Sequence, residues 1–196
     1  MTRQPAATPP QDPRVNPAGV FGMSLFLVSL AVLFTASLVS YFVIRFRAEQ
    51  WPPPGMPGLP FGLWWSTLII LISSVTIQLG LWSAIKDMQA AMKAFLSMTL
   101  LLGIAFLFNQ WANWSDLLKI EIPPTVNLYA FTFYTLTGLH AAHVIGGLIL
   151  LSVVCYKAFK GNYGSQYHPG ITYSAMYWHF LDVVWVVLFV SLKFSF

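Results

Sequence analysis

Three histidines and one aspartate occupy two segments that otherwise hold almost nothing polar. His140 and His143 lie in FYTLTGLHAAHVIGGLILL (133–151), and His179 and Asp182 lie in YWHFLDVVWVVLF (177–189). Each pair is three residues apart, so on a helix its two members share one face. An ionisable group at the centre of a membrane helix costs ~2.5 kcal/mol or more, so such groups turn toward protein or a cavity. Two uses follow. A buried neutral imidazole can serve as a hydrogen-bonding partner that fixes helix register, or it can carry a proton or ligate a metal. Running the two helices antiparallel, at ~1.5 Å per residue, brings His143 and Asp182 within about one turn of each other in depth. That predicts a polar contact between the helices built from His143 and Asp182, joined by His140 or His179.

The elements that must position these residues are read from composition. The chain has 196 residues, 57% hydrophobic and 8% charged, with a mean hydropathy of +0.69. That excludes a soluble domain and makes the chain an integral, multi-pass membrane protein. Apolar windows run over about 19–44, 61–85, 94–111, 128–156 and 173–192, each near the ~20 residues that span a bilayer. They lack the period-two alternation of a membrane barrel. The expected fold is therefore all-α: an integral membrane bundle of five transmembrane helices over residues 19–196, preceded by a flexible cytoplasmic tail over 1–18.

A cytoplasmic N-terminus places Arg3, Arg14, Lys86, Lys93, Lys157 and Lys160 inside and Arg45, Arg47, Lys119 and Lys193 outside, which favours that orientation by the positive-inside rule. The C-terminus then lies outside, across a bacterial cytoplasmic (inner) membrane. The net charge of +4 comes from scattered loop residues and points to no nucleic acid partner. Cys155 is the lone cysteine and can form no internal disulfide.

Small residues mark where helix backbones could approach. Gly22, Ser29 and Ala36 recur in the first helix, Ser66, Ser73 and Gly80 in the second, and Gly138, Ala142 and Gly146 in the fourth. Packing within the bundle is the expected use of these stripes, with a docking face as the alternative. Trp178 and Trp185 are further packing candidates on the fifth helix.

TGLHAAHVIGG (137–147) and YWHFLDVVWVVLF (177–189) resemble the T-G-x-H-G-x-H-V-x-x-G element and the Y-W-H-F-V-D-V-V-W helix of subunit III of the haem-copper respiratory oxidases, the family of cytochrome c oxidase and bo-type quinol oxidase. FGMSLFLVS (21–29), LWWSTLIILISSVT (63–76) and LLGIAFLFNQ (101–110) resemble further family segments in the same order. The resemblance covers residues 20–194 and is to the five-helix form. Three positions depart from it. Leu30 replaces a glutamate that often follows the serine at Ser29, Ala141 replaces a glycine, and Asn113 replaces a glutamate.

The resemblance implies a non-catalytic subunit that packs directly on subunit I, alongside subunit II and other oxidase subunits. It implies retention of phospholipid in a cleft and support for sustained proton uptake during aerobic electron transport. It implies no cofactor, metal or catalytic residue in this chain, with haem and copper in the partner subunits. Four histidines and one cysteine also fall short of the ligand sets of the redox-active subunits. His168, in the GNYGSQYHPGITY segment, reads as a surface loop residue. His140, His143, His179 and Asp182 are then structural polar or lipid-cleft candidates. Two alternatives stay open: an accessory subunit III-like protein of a nitric oxide reductase, and a free-standing proton carrier using those four residues.

Overall fold

A computed structural model describes residues 16–193. Among the described residues there are five helices: α1 (Pro17–Arg47), α2 (Gly62–Ile85), α3 (Gln89–Lys119), α4 (Leu128–Phe159) and α5 (Pro169–Lys193). All five are long and apolar enough to cross a membrane. The tail expected over residues 1–18 falls largely outside the described residues. Its last two residues already belong to α1, where Asn16 caps the helix by accepting from Ala18 N–H at 2.9 Å and Pro17 occupies the first helical turn, the position proline tolerates best. Asn127 caps α4 in the same way, accepting from Ala130 N–H at 2.8 Å.

The helices outrun their apolar windows. α3 continues from the window's end at residue 111 to Lys119, and side chains on both sides of that end, Asn109 and Trp114, are held by neighbouring helices. Asn109 Nδ2 donates to the Gly62 carbonyl and to Ser66 Oγ, both at 2.7 Å, and Trp114 Nε1 donates to Thr137 Oγ1 at 3.1 Å.

α2, α3, α4 and α5 close a ring in which each helix touches its two neighbours, and α1 lies outside it against α4 and α5 alone. Because lipid tails are as apolar as leucine, such a bundle is held by close packing and interhelical hydrogen bonds more than by burial from water. Trp178 on α5 joins all four ring helices. Its side chain is 2% exposed, and its Nε1–H donates to Ser73 Oγ of α2 at 2.9 Å. Its ring lies over Gly103 of α3 and Gly147 of α4. A methyl group added at Gly103 would lie 2.7 Å from Trp178 Cη2, and one added at Gly147 would lie 3.2 Å from Cζ3. Trp185, two turns along, is 1% exposed. It donates to Thr67 Oγ1 at 3.0 Å and meets Phe106 edge to face, with ring centroids 4.9 Å apart.

The small-residue stripes divide. Ser66, Ser73 and Gly80 are buried, with Gly80 closely approached by Leu96 of α3. The stripes on α1 and α4 do not pack within the bundle, contrary to expectation. Gly22, Ser29, Ala36, Ala142 and Gly146 are exposed. A methyl group at Gly22 or Gly138 would meet nothing within 4 Å, and one at Gly146 would meet only Tyr177 Oη, at 3.7 Å. α4 is rotated so that His140, Val144, Gly147 and Leu151 face inward, leaving the glycine and alanine stripe outside.

Candidate functional site

The four intramembrane candidates do not form one cluster. His140 is fully buried inside an aromatic shell, with its ring centroid 5.1 Å from Trp185, 5.6 Å from Phe106 and 6.3 Å from Phe34. Neither ring nitrogen has a hydrogen-bond partner among the described residues. His143, one turn on, faces α1: its ring centroid is 5.0 Å from that of Phe34. Its Nδ1 is 2.8 Å from the Leu139 carbonyl. A carbonyl only accepts, so Nδ1 carries the proton. The His143 carbonyl in turn accepts from Tyr177 Oη at 3.0 Å, which ties α4 to α5 through the backbone.

His179 and Asp182 turn to α2. His179 Nδ1 is 2.8 Å from Ser74 Oγ, and Nε2 is 3.0 Å from Gln78 Oε1. An amide oxygen accepts only, so Nε2 holds the proton and Nδ1 accepts from the Ser74 hydroxyl. Asp182 Oδ2 lies 3.9 Å from Nδ1, a nitrogen with no proton to give in that tautomer. Ser74 also lies beside the carboxylate, outside hydrogen-bond geometry in this structure. Both carboxylate oxygens are left without a hydrogen bond among the described residues.

The expected polar contact between α4 and α5 is therefore corrected. No polar side chain of α4 reaches Asp182; its neighbours are His179 on its own helix and Ser74 on α2. Similar depth on two antiparallel helices does not set rotation about their axes, and the rotation sends His143 to α1 and Asp182 to α2.

Sequence reasoning passed over Ser74, Gln78, Thr67, Gly103 and Gly147, which hold the tryptophans and His179 in place. The available signal was the run of hydroxyl and amide residues through the apolar α2 segment, of which only Ser66 and Ser73 were singled out. Contrary to the surface position expected of it, His168 is buried, with Nδ1 3.1 Å from the Gly164 carbonyl four residues back, so it closes its own loop. Among the described residues, no group of three His, Cys, Asp or Glu side chains converges as a metal site would need.

A groove runs between α1 and α4. Its inner part, about 230 Å³, is lined by Ser37, Ser40, Ile44, Phe131 and Thr135. Its outer part, about 350 Å³, is lined by Ile44, Arg47, Trp51 and Leu128. Ile44 is common to both. The Ser37 and Ser40 hydroxyls donate to the Leu33 and Ala36 carbonyls of their own helix, each at 2.9 Å, while Tyr41, whose Oη has no hydrogen-bond partner among the described residues, adds a polar atom to the same wall. Arg47, in the last turn of α1, puts a cation at the mouth.

A sequence profile of the family described as cytochrome c oxidase subunit III matches residues 11–195. The chain is 37% identical over 173 residues to cytochrome c oxidase subunit 3 of Synechocystis sp., covering 87% of this chain and 73% of the relative. It is 34% identical over 174 residues to the protein of that name from Thermostichus vulcanus, covering 88% and 85%. With the Sus scrofa protein of the same name it shares 33% identity over 181 residues, covering 88% and 67%.

Proposed function

The chain belongs to the cytochrome c oxidase subunit III family, and from that premise we propose that it is a non-catalytic scaffold that packs on the catalytic subunit I and retains phospholipid at its flank. The single observation that carries this reading is the family match over nearly the whole chain, residues 11–195. Membership makes it a subunit of an oxidase complex and an integral membrane protein. The finer reading is that it contacts subunit I directly and subunit II within the same assembly, in a bacterial cytoplasmic membrane, with its N-terminus inside and its C-terminus outside. Haem and copper belong to those partners.

The groove between α1 and α4 supports the lipid role. Ile44, Phe131 and Leu136 on its inner wall suit an acyl chain, and Arg47 and Trp51 at its mouth suit a phosphate headgroup at the membrane interface. Leu30, where relatives often carry a glutamate, is buried and offers no proton-binding group. Support for proton uptake therefore works through packing and lipid and not through a carboxylate at that position.

The test is purification of the tagged chain from its native membrane in mild detergent, with a reduced-minus-oxidised spectrum and mass spectrometry of co-eluting proteins and lipids. A haem-bearing subunit in the eluate, whose haem is absent when this chain is isolated alone, is the expected result. Elution without any haem protein overturns the reading. Arg47→Ala should lower the bound phospholipid without releasing the haem-bearing subunit.

A further inference from the structure

Two parallel ridges cross the membrane on the side where α2 and α5 meet. On α5, Val183, Val187 and Val190 recur at helical spacing and are exposed, Val183 to 63%. On α2, Leu68, Leu71 and Val75 do the same. Branched and apolar, these side chains form a stiff surface that loses little rotamer freedom when covered.

The same face carries a polar island. Side-chain exposure is 37% for His179 and 6% for Asp182. Ser74 and Gln78, which hold His179, line a surface hollow of about 260 Å³ with Val75, Leu79 and Trp82, room for several waters' worth of side chain. Asp182 is the only acid inside the five apolar windows. It is more than nine-tenths buried, neither carboxylate oxygen has a hydrogen-bond partner among the described residues, and the nearest polar groups are His179 and Ser74.

A carboxylate left so in a bilayer is costly, and a cationic side chain from a neighbouring subunit offsets the cost of its charge. The exposed face of α3 around Ile104, Phe108 and Trp111 has no such need and suits lipid. On α1 the Ser29, Ser37 and Ser40 hydroxyls are satisfied by their own helix.

We propose that the α2–α5 face, where Asp182 lies beside Ser74 and His179, receives a transmembrane helix of another subunit of the oxidase complex, whose arginine or lysine pairs with Asp182. The inference rests on the chain being an oxidase subunit. It adds which face meets the partner and which group the partner brings.

The experiment uses the complex in its native membrane. On a Cys155→Ser background, single cysteines are placed at Val183, Val75 and, as control, Ile104, labelled with a benzophenone maleimide and illuminated. Adducts to another oxidase subunit from Val183 and Val75, and not from Ile104, are expected. Asp182→Asn, which keeps shape and removes charge, should lower recovery of the haem-bearing subunit about thirtyfold or more, as loss of a desolvated charge pair does. Asp182→Glu should recover part of it. Protein adducts from Ile104 alone, or unchanged recovery with Asp182→Asn, overturn the proposal while leaving the subunit assignment standing. If the unsubstituted chain recovers no haem protein, both fall.

Discussion

α5 and α1 are both apolar helices of one small bundle, yet they are held in opposite ways. α5 presents its residues to α2, α4 and α1 and spends its polar atoms across helix boundaries: Trp178 to Ser73, Trp185 to Thr67, His179 to Ser74 and Gln78. α1 carries Ser24, Ser29, Ser37 and Ser40, and each of these hydroxyls returns to a carbonyl of α1 itself. Its buried residues are only Leu30, Phe34 and Tyr41. Polar side chains on α5 therefore define a place in the bundle, whereas those on α1 only spare the helix from presenting polar atoms to lipid. Within the chain, helix α1 is placed mainly by aromatic contacts of Phe26 and Phe34 with α4 and α5.

Trp178→Ala should break the comparison most severely. The indole is fixed among Ser73, Gly103 and Gly147, on three different helices, so the emptied site cannot collapse without moving the ring. A loss of about 3–5 kcal/mol is expected. Phe34→Ala empties a site on one side of α1, where a shift of that helix or a lipid chain can fill the gap, and about 2 kcal/mol or less is expected. Reversible unfolding in mixed detergent micelles measures both. An equal loss at Phe34 would mean that α1 is as firmly placed as α5.

Glycine substitutions sharpen the contrast at smaller amplitude. A methyl at Gly103 would lie 2.7 Å from both Leu148 Cδ2 and Trp178 Cη2, and Gly103→Ala should cost about 1–3 kcal/mol through overpacking. A methyl at Gly22 meets nothing, so Gly22→Ala should change stability by no more than about 0.5 kcal/mol. Thermal unfolding of the purified chain in detergent separates the two. Loss of stability from Gly22→Ala only within the assembled complex would show that a neighbouring subunit uses that stripe.

The glycines also show where legibility ended. Five spans could be read because a continuous apolar run of bilayer length admits one regular structure, and the two histidine motifs were visible in letters alone. Rotation of each helix about its own axis was not visible. In water, a helix declares its inner face by alternating with polar residues, but here core and lipid are equally apolar and both faces read alike. Thus Gly138, Ala142 and Gly146 looked like a packing stripe while Gly147, one residue further, is the one that Trp178 and Tyr177 approach. Depth likewise suggested a His143 to Asp182 contact that rotation denies.

The finest division lies between two serines. Ser73 accepts from Trp178 Nε1 at 2.9 Å while donating to the Ile70 carbonyl at 2.7 Å. Ser73→Ala leaves a buried indole N–H without an acceptor, and interhelical hydrogen bonds of this kind in membranes contribute ~0.6 kcal/mol on average and up to ~1.7. Ser37 bonds only to Leu33 of its own turn, so Ser37→Ala frees a carbonyl that already holds its helical bond and should cost less than about 0.5 kcal/mol. Tryptophan fluorescence supplies a readout independent of stability, because Trp178 should shift when its acceptor is removed and stay unchanged with Ser37→Ala. A fluorescence shift from Ser37→Ala would couple α1 to the tryptophan core and erase the distinction between a helix placed by its own bonds and one placed by its surroundings.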